Sequence, residues 1–190
     1  MGVERNLPDR GDLKVAPIWK NESKMDLKEK NTEILVLGSG NILFGDDGFG
    51  PAVIAHLTQN FELPQKVQAW DVGTAIQEIL FDLILSEDLP QELLVIDVMD
   101  QKLKPGKIFW LKPEALPRQS SGFFSLHLPP TREMLLKLVK KGVNVWLVCC
   151  QLKQIPNQVQ PGLSRPVAKA VLQASKEIYK ILIGMKDFPN

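Results

Sequence analysis

Asp47, Asp71 and His127 are the residues of this sequence best suited to chemistry. Two carboxylates and one imidazole suit a borderline divalent ion such as Ni²⁺ or Zn²⁺. Three protein ligands would leave positions open for an outside group. Each stands where an apolar run has just ended or within an irregular stretch, on three loops that can share one crevice. Taken singly, Asp47 and Asp71 read first as helix N-terminal caps that satisfy free N–H groups and complement the dipole. Asp97 is a spare carboxylate at the end of another apolar run and reads as structural. His56 lies among apolar residues of a helix and reads as packing or surface. Cys149-Cys150 closes an apolar strand, which favours burial over redox chemistry. No Gly-x-Ser-x-Gly elbow is present, and Ser39 is out of frame for one, so a serine triad finds no support.

A second chemistry competes for the same stretch. Gly38, Gly40 and Gly45 tempt a dinucleotide-binding or methyltransferase-like reading of the loop Gly38–Gly45, with Asp71 on a ribose. The fingerprint needs Gly at its sixth position, where this chain has Leu43, and Asp46-Asp47 would repel a phosphate. The glycine fingerprint is therefore incomplete, although Asp71, 26 residues beyond Gly45, lies near the offset of a ribose contact and keeps the nucleotide alternative open.

These residues must be positioned by elements that the hydropathy pattern marks out. Residues 33–37 form an apolar run suited to a strand buried on both faces. Val53, Ile54, Leu57 and Phe61 then recur at helical spacing. Val67, Ala69 and Trp70 predict a second strand ending at Asp71. Thr74 and Gln77 are spaced as a capping box before the stripe Ile76, Ile79, Leu80, Leu83 and Ile84. Leu93–Ile96 reads as a third strand ending at Asp97, and Lys107–Leu111 as a fourth at an edge. Residues 112–130 are irregular, carry His127, and lead to a helix capped by Thr131 and stopped by Gly142. Asn144–Cys150 is a fifth strand, and Ser164 caps a last helix. Strands alternating with long helices predict an α/β fold, a three-layer sandwich whose five-stranded, mostly parallel (mixed) sheet has helices on both faces. Such sheets hold their sites at the carboxyl ends of the strands.

The chain has 190 residues and a net charge of +1, with 44% apolar residues. That length suits one domain with a real core. Residues 1–30 hold 13 charged residues and read as a polar extension, leaving 31–190 as a single α/β domain. Balanced charge argues against nucleic acid as a partner. No apolar run approaches the roughly 18 residues of a membrane span. Neither a secretory h-region nor a disulfide framework is visible, so a cytoplasmic home is expected.

Residues 34–50, ILVLGSGNILFGDDGFG, closely resemble the opening motif of the nickel–iron hydrogenase maturation endopeptidases. Asp71-Val-Gly-Thr74 resembles their second motif, and Ser125-Leu-His127 followed by a helix their third. Residues 45–54, 78–81 and 160–164 resemble the archaeal branch that serves the coenzyme F-420-reducing hydrogenase. The resemblance implies an endopeptidase that binds the hydrogenase large-subunit precursor and removes a C-terminal peptide once nickel has been inserted. It implies nickel contacts, and the reaction itself, at Asp47, Asp71 and His127, with Asp46 as a stand-in for Asp47. The nickel would arrive with the substrate, although another divalent metal could occupy the site. A cytoplasmic monomer is expected. A chaperone that merely holds the large subunit is the non-catalytic alternative.

Overall fold

The computed structural model describes residues 32–116 and 128–188. The polar extension and His127 lie outside the described residues. The elements run β1 (Ile34–Ser39), a 3₁₀ turn (Gly45–Gly48), α1 (Phe49–Asn60), β2 (Val67–Gly73), α2 (Ile76–Leu85), β3 (Glu92–Met99), β4 (Ile108–Leu111), a second 3₁₀ turn (Pro113–Ala115), α3 (Leu128–Lys140), β5 (Asn144–Gln151) and α4 (Arg165–Leu182). One five-stranded sheet has the order β2-β1-β3-β5-β4. Its first four strands are parallel and β4 is antiparallel to β5. The mixed α/β sandwich expected from the pattern is the one observed, with the fourth strand at an edge.

Burial explains which runs became central strands. Leu35, Val36 and Leu37 of β1 and Leu93 to Ile96 of β3 are all buried, because helices cover both faces of the sheet. Val36, Leu94, Ile96 and Val148 pack with α1 and α4 residues such as Val53, Leu57, Val171 and Ile178. Leu37, Leu93, Val95 and Leu147 face the other way, toward Ile76, Leu80, Leu83, Leu135 and Leu138 of α2 and α3. Burial of such a side chain contributes about 1.5–3 kcal/mol, so alternate residues of one strand hold two helical layers in place.

Several boundaries differ from the expected ones. β2 continues through Gly73 and β3 through Met99, so Asp71 and Asp97 stand inside strands rather than beyond them. Ladder pairing explains both extensions: Ser39 pairs with Gly73, and Val98 and Met99 with Cys150 and Gln151. The Thr74–Gln77 capping box is not formed. The N-cap of α2 is Ala75, whose N–H donates to Val72 O as the chain turns out of the extended β2. Thr131 does not cap α3 either; the helix begins at Leu128, and Pro129 and Pro130 fit a first turn where N–H groups lack intrahelical acceptors. Ser164 is the N-cap of α4 by position, but its side chain makes no capping bond.

Candidate active site

The chain leaves β1 to form β2 on one side and returns to form β3 on the other. In open parallel sheets the ligand crevice lies at such a switch point, here the carboxyl ends of β1 and β3. Close packing there demands glycine. A Cβ on Gly50, in the first turn of α1, would lie 2.2 Å from Ser39 O and 2.5 Å from Ile96 O. Gly40 has φ +131°, and a Cβ there would lie 1.9 Å from Asp47 O, so the two ends of the loop 40–47 touch through backbone.

The amides of this loop are consumed internally. Gly40 N–H donates to Gly73 O, Phe44 N–H to Asn41 O, Gly45 N–H to Gln160 O and Asp47 N–H to Phe44 O. Asn41 N–H donates to the Asp47 carboxylate at 2.8 Å and Leu43 N–H to the Asn41 side chain at 3.0 Å. A phosphate cradle needs such groups turned outward. The glycines therefore serve close packing rather than a nucleotide.

The adjacent aspartates have different surroundings. Asp46 is buried, 1% exposed. Its carboxylate accepts from Lys153 N–H at 2.8 Å, Gln154 N–H at 3.2 Å, Ser164 N–H at 2.7 Å and Ser164 Oγ–H at 3.0 Å. Both oxygens are engaged, so Asp46 as placed is a tie between the loop, the segment after β5 and the start of α4. This also explains why Ser164 does not cap its own helix. Asp47 is half-buried, and its carboxylate is near enough to Asp97 to raise that group's pKa. Neither residue caps α1, whose N-cap is Gly48.

Asp71 pairs across the ladder with Gly38, whose other neighbour is Ile96. Asp71 and the residue before Asp97 thus flank β1 at one level. The Asp71 carboxylate accepts Gly73 N–H at 3.0 Å. Enclosure by the protein around its base raises its pKa, against the lowering effect of that bond. Asp97 accepts Val98 N–H at 2.7 Å. Burial and then the neighbouring Asp47 carboxylate push Asp97 up to about 8, although Val98 N–H and the Ser39 hydroxyl pull it down. Burial and the Asp47 carboxylate thus both favour the protonated form of Asp97.

Among the described residues, no three His, Cys, Asp or Glu side chains gather as a metal site. Of the expected set, Asp47 lies on the turn after β1 and Asp71 near the carboxyl end of β2, and the third member, His127, lies outside the described residues. The cysteines are inert: burial pushes the Cys149 thiol well above its usual value and that of Cys150 up to about 12. His56 is half-buried in α1, its ring 6.0 Å from that of Phe61, as expected of a packing residue.

A profile of the hydrogenase maturation protease (HycI) family matches residues 51–181. A Methanocaldococcus jannaschii protein named as a candidate hydrogenase maturation protease is 38% identical over 76% of this chain and 93% of its own length. The chain belongs to the hydrogenase maturation protease family. It is an endopeptidase. The coenzyme F420 hydrogenase subunit delta of Methanothermobacter thermautotrophicus is 37% identical over 78% of this chain and 93% of its own. The fold is shared with the Escherichia coli hydrogenase maturating endopeptidase HybD, at a TM-score of 0.66 and 26% identity, covering 80% of this chain and 93% of that one.

In this protease two residues carry more than the sequence suggested. Asp97 reads as structural, yet it lies against Asp47. The available signal was its place at the end of the apolar strand beside β1. The four bonds of Asp46 had no local signal, since their donors lie more than 100 residues away.

Proposed function

We propose that this protease removes a C-terminal peptide from the nickel-loaded large-subunit precursor of a nickel–iron hydrogenase. Asp47, Asp71 and His127 contact the nickel that the substrate carries. The observation that bears most weight is the division of labour in the Asp46-Asp47 turn. One carboxylate is spent on holding the turn, and the other is held toward the crevice by the Asn41 amide, one strand away from Asp71. Hydrolysis needs a base to take a proton from water and an acid to protonate the leaving amine. Asp47 or Asp71 would take the proton from water and then deliver it to the leaving amine. The upward shift of Asp97 favours an uncharged neighbour for Asp47. The nickel of the substrate would polarise the scissile carbonyl.

The coenzyme F420-reducing hydrogenase is the proposed source of the substrate. The 37% identical archaeal relative carries that hydrogenase's name. No described helix is long and apolar enough to cross a membrane, and a cytoplasmic, monomeric protease is proposed. The test is incubation with the nickel-loaded precursor of such a hydrogenase, followed by mass spectrometry. A precursor shortened at its C-terminus is expected. An unchanged mass would overturn the reading.

A further inference from the structure

Apolar side chains of the site loop stand open beside Asp47. Ile42 is 55% and Leu43 44% exposed, and Val159 on the facing segment is 64% exposed. Single exposed apolar residues are ordinary on protein surfaces, but a contiguous group next to a site marks binding. These three are contiguous through the backbone. Gln160 N–H donates to Leu43 O at 2.9 Å, Gly45 N–H donates to Gln160 O at 3.0 Å, and Phe44 and Gln160 form a parallel bridge.

The exposure belongs to a pinned surface. Asn41 closes the loop against Asp47, and Asp46 anchors the turn to Lys153, Gln154 and Ser164 on either side of Val159. Gly48 packs so tightly that a Cβ there would lie 3.2 Å from Ile42 Cα. The chain thus spends a buried carboxylate and a glycine on presenting Ile42, Leu43 and Val159 to solvent.

We propose that Ile42, Leu43 and Val159 form a ledge that binds an extended apolar segment of the substrate polypeptide next to its scissile bond. The proposal rests on the endopeptidase reading above. An endopeptidase must hold chain on both sides of the bond it cuts. Ile42 and Leu43 directly follow Asn41, whose amide binds Asp47, so a chain lying on them passes the crevice within a few residues. The ledge selects for apolar side chains and adds affinity rather than chemistry.

Steady-state processing of nickel-loaded precursor by the Leu43→Ser/Val159→Ser double variant tests this. A rise in KM of roughly 10- to 100-fold with kcat within about twofold of wild type is expected, from loss of apolar contact alone. Val159→Asp, at the most exposed position of the three, should fold normally and raise KM by itself. Unchanged KM in the double variant and in Val159→Asp, with wild type cutting normally, would overturn the ledge and leave the function intact. Failure of the wild type to cut would overturn both. A fall in kcat at unchanged KM would also contradict a binding role.

Discussion

Asp46 and Asp47 are chemically identical neighbours, separated only by what surrounds them. Removing the buried Asp46 carboxylate leaves three partly buried backbone N–H groups and one hydroxyl without their acceptor, a loss of about 2–4 kcal/mol. Asp46→Ala is therefore expected to lower stability by that amount in chemical denaturation, whereas Asp47→Asn should change it little and lose processing. Equal destabilisation by the two would refute the assigned roles. Asp71→Asn keeps size and exposure, so it should fold as wild type and abolish cutting; wild-type rate would remove Asp71 from the site. Asp97 supplies a pH signature. Its folded pKa, about 8, lies above the usual carboxylate value, so the native state binds the extra proton and stability falls as pH rises from about 4 to 8. Asp97→Asn should flatten that decline in urea titrations run across the range. A decline of unchanged slope would show that Asp97 is not its source. The carboxylate pair was legible as a pair from residue type and spacing. Which member is buried was not, because donors distant in sequence decide it.

At the scale of elements, the strands read well and the caps read poorly. β1 and β3 announce themselves as continuous apolar runs because both faces are covered, a property of local composition. The helix starts at Thr74 and Thr131 were misplaced because local capping chemistry lost to context. β2 stayed extended to pair Gly73 with Ser39, and Pro129-Pro130 opened α3 a turn early. Ser164 shows the same contest, its hydroxyl drawn from its helix to Asp46. The contact between α1 and the ends of β1 and β3 is the element-scale joint on which the crevice depends. Gly50→Ala puts a methyl inside Ser39 O and Ile96 O, neither of which can yield without moving a strand. A loss of about 3 kcal/mol or more in denaturant unfolding is expected. A loss below about 1 kcal/mol would mean that the helix can slide off the strand ends.

For the molecule as a whole, the sheet order sets the site. Strand order β2-β1-β3 brings the turn carrying Asp47 and the strand ends carrying Asp71 and Asp97 to one end of the sheet, and the alternation of strands and helices made that class of fold legible before any contact was known. The central claim is that the crevice recognises nickel carried by the substrate. In the proposed site Asp47, Asp71 and His127 would make an incomplete shell, so the protein alone should hold metal weakly, and more weakly still at acid pH, where an imidazole ligand would be protonated. The direct measurement compares nickel-loaded with nickel-free precursor, each incubated with metal-stripped protease and weighed by mass spectrometry over time. The account predicts C-terminal trimming of the loaded form and an intact nickel-free form. Trimming of both at the same bond and rate would contradict it.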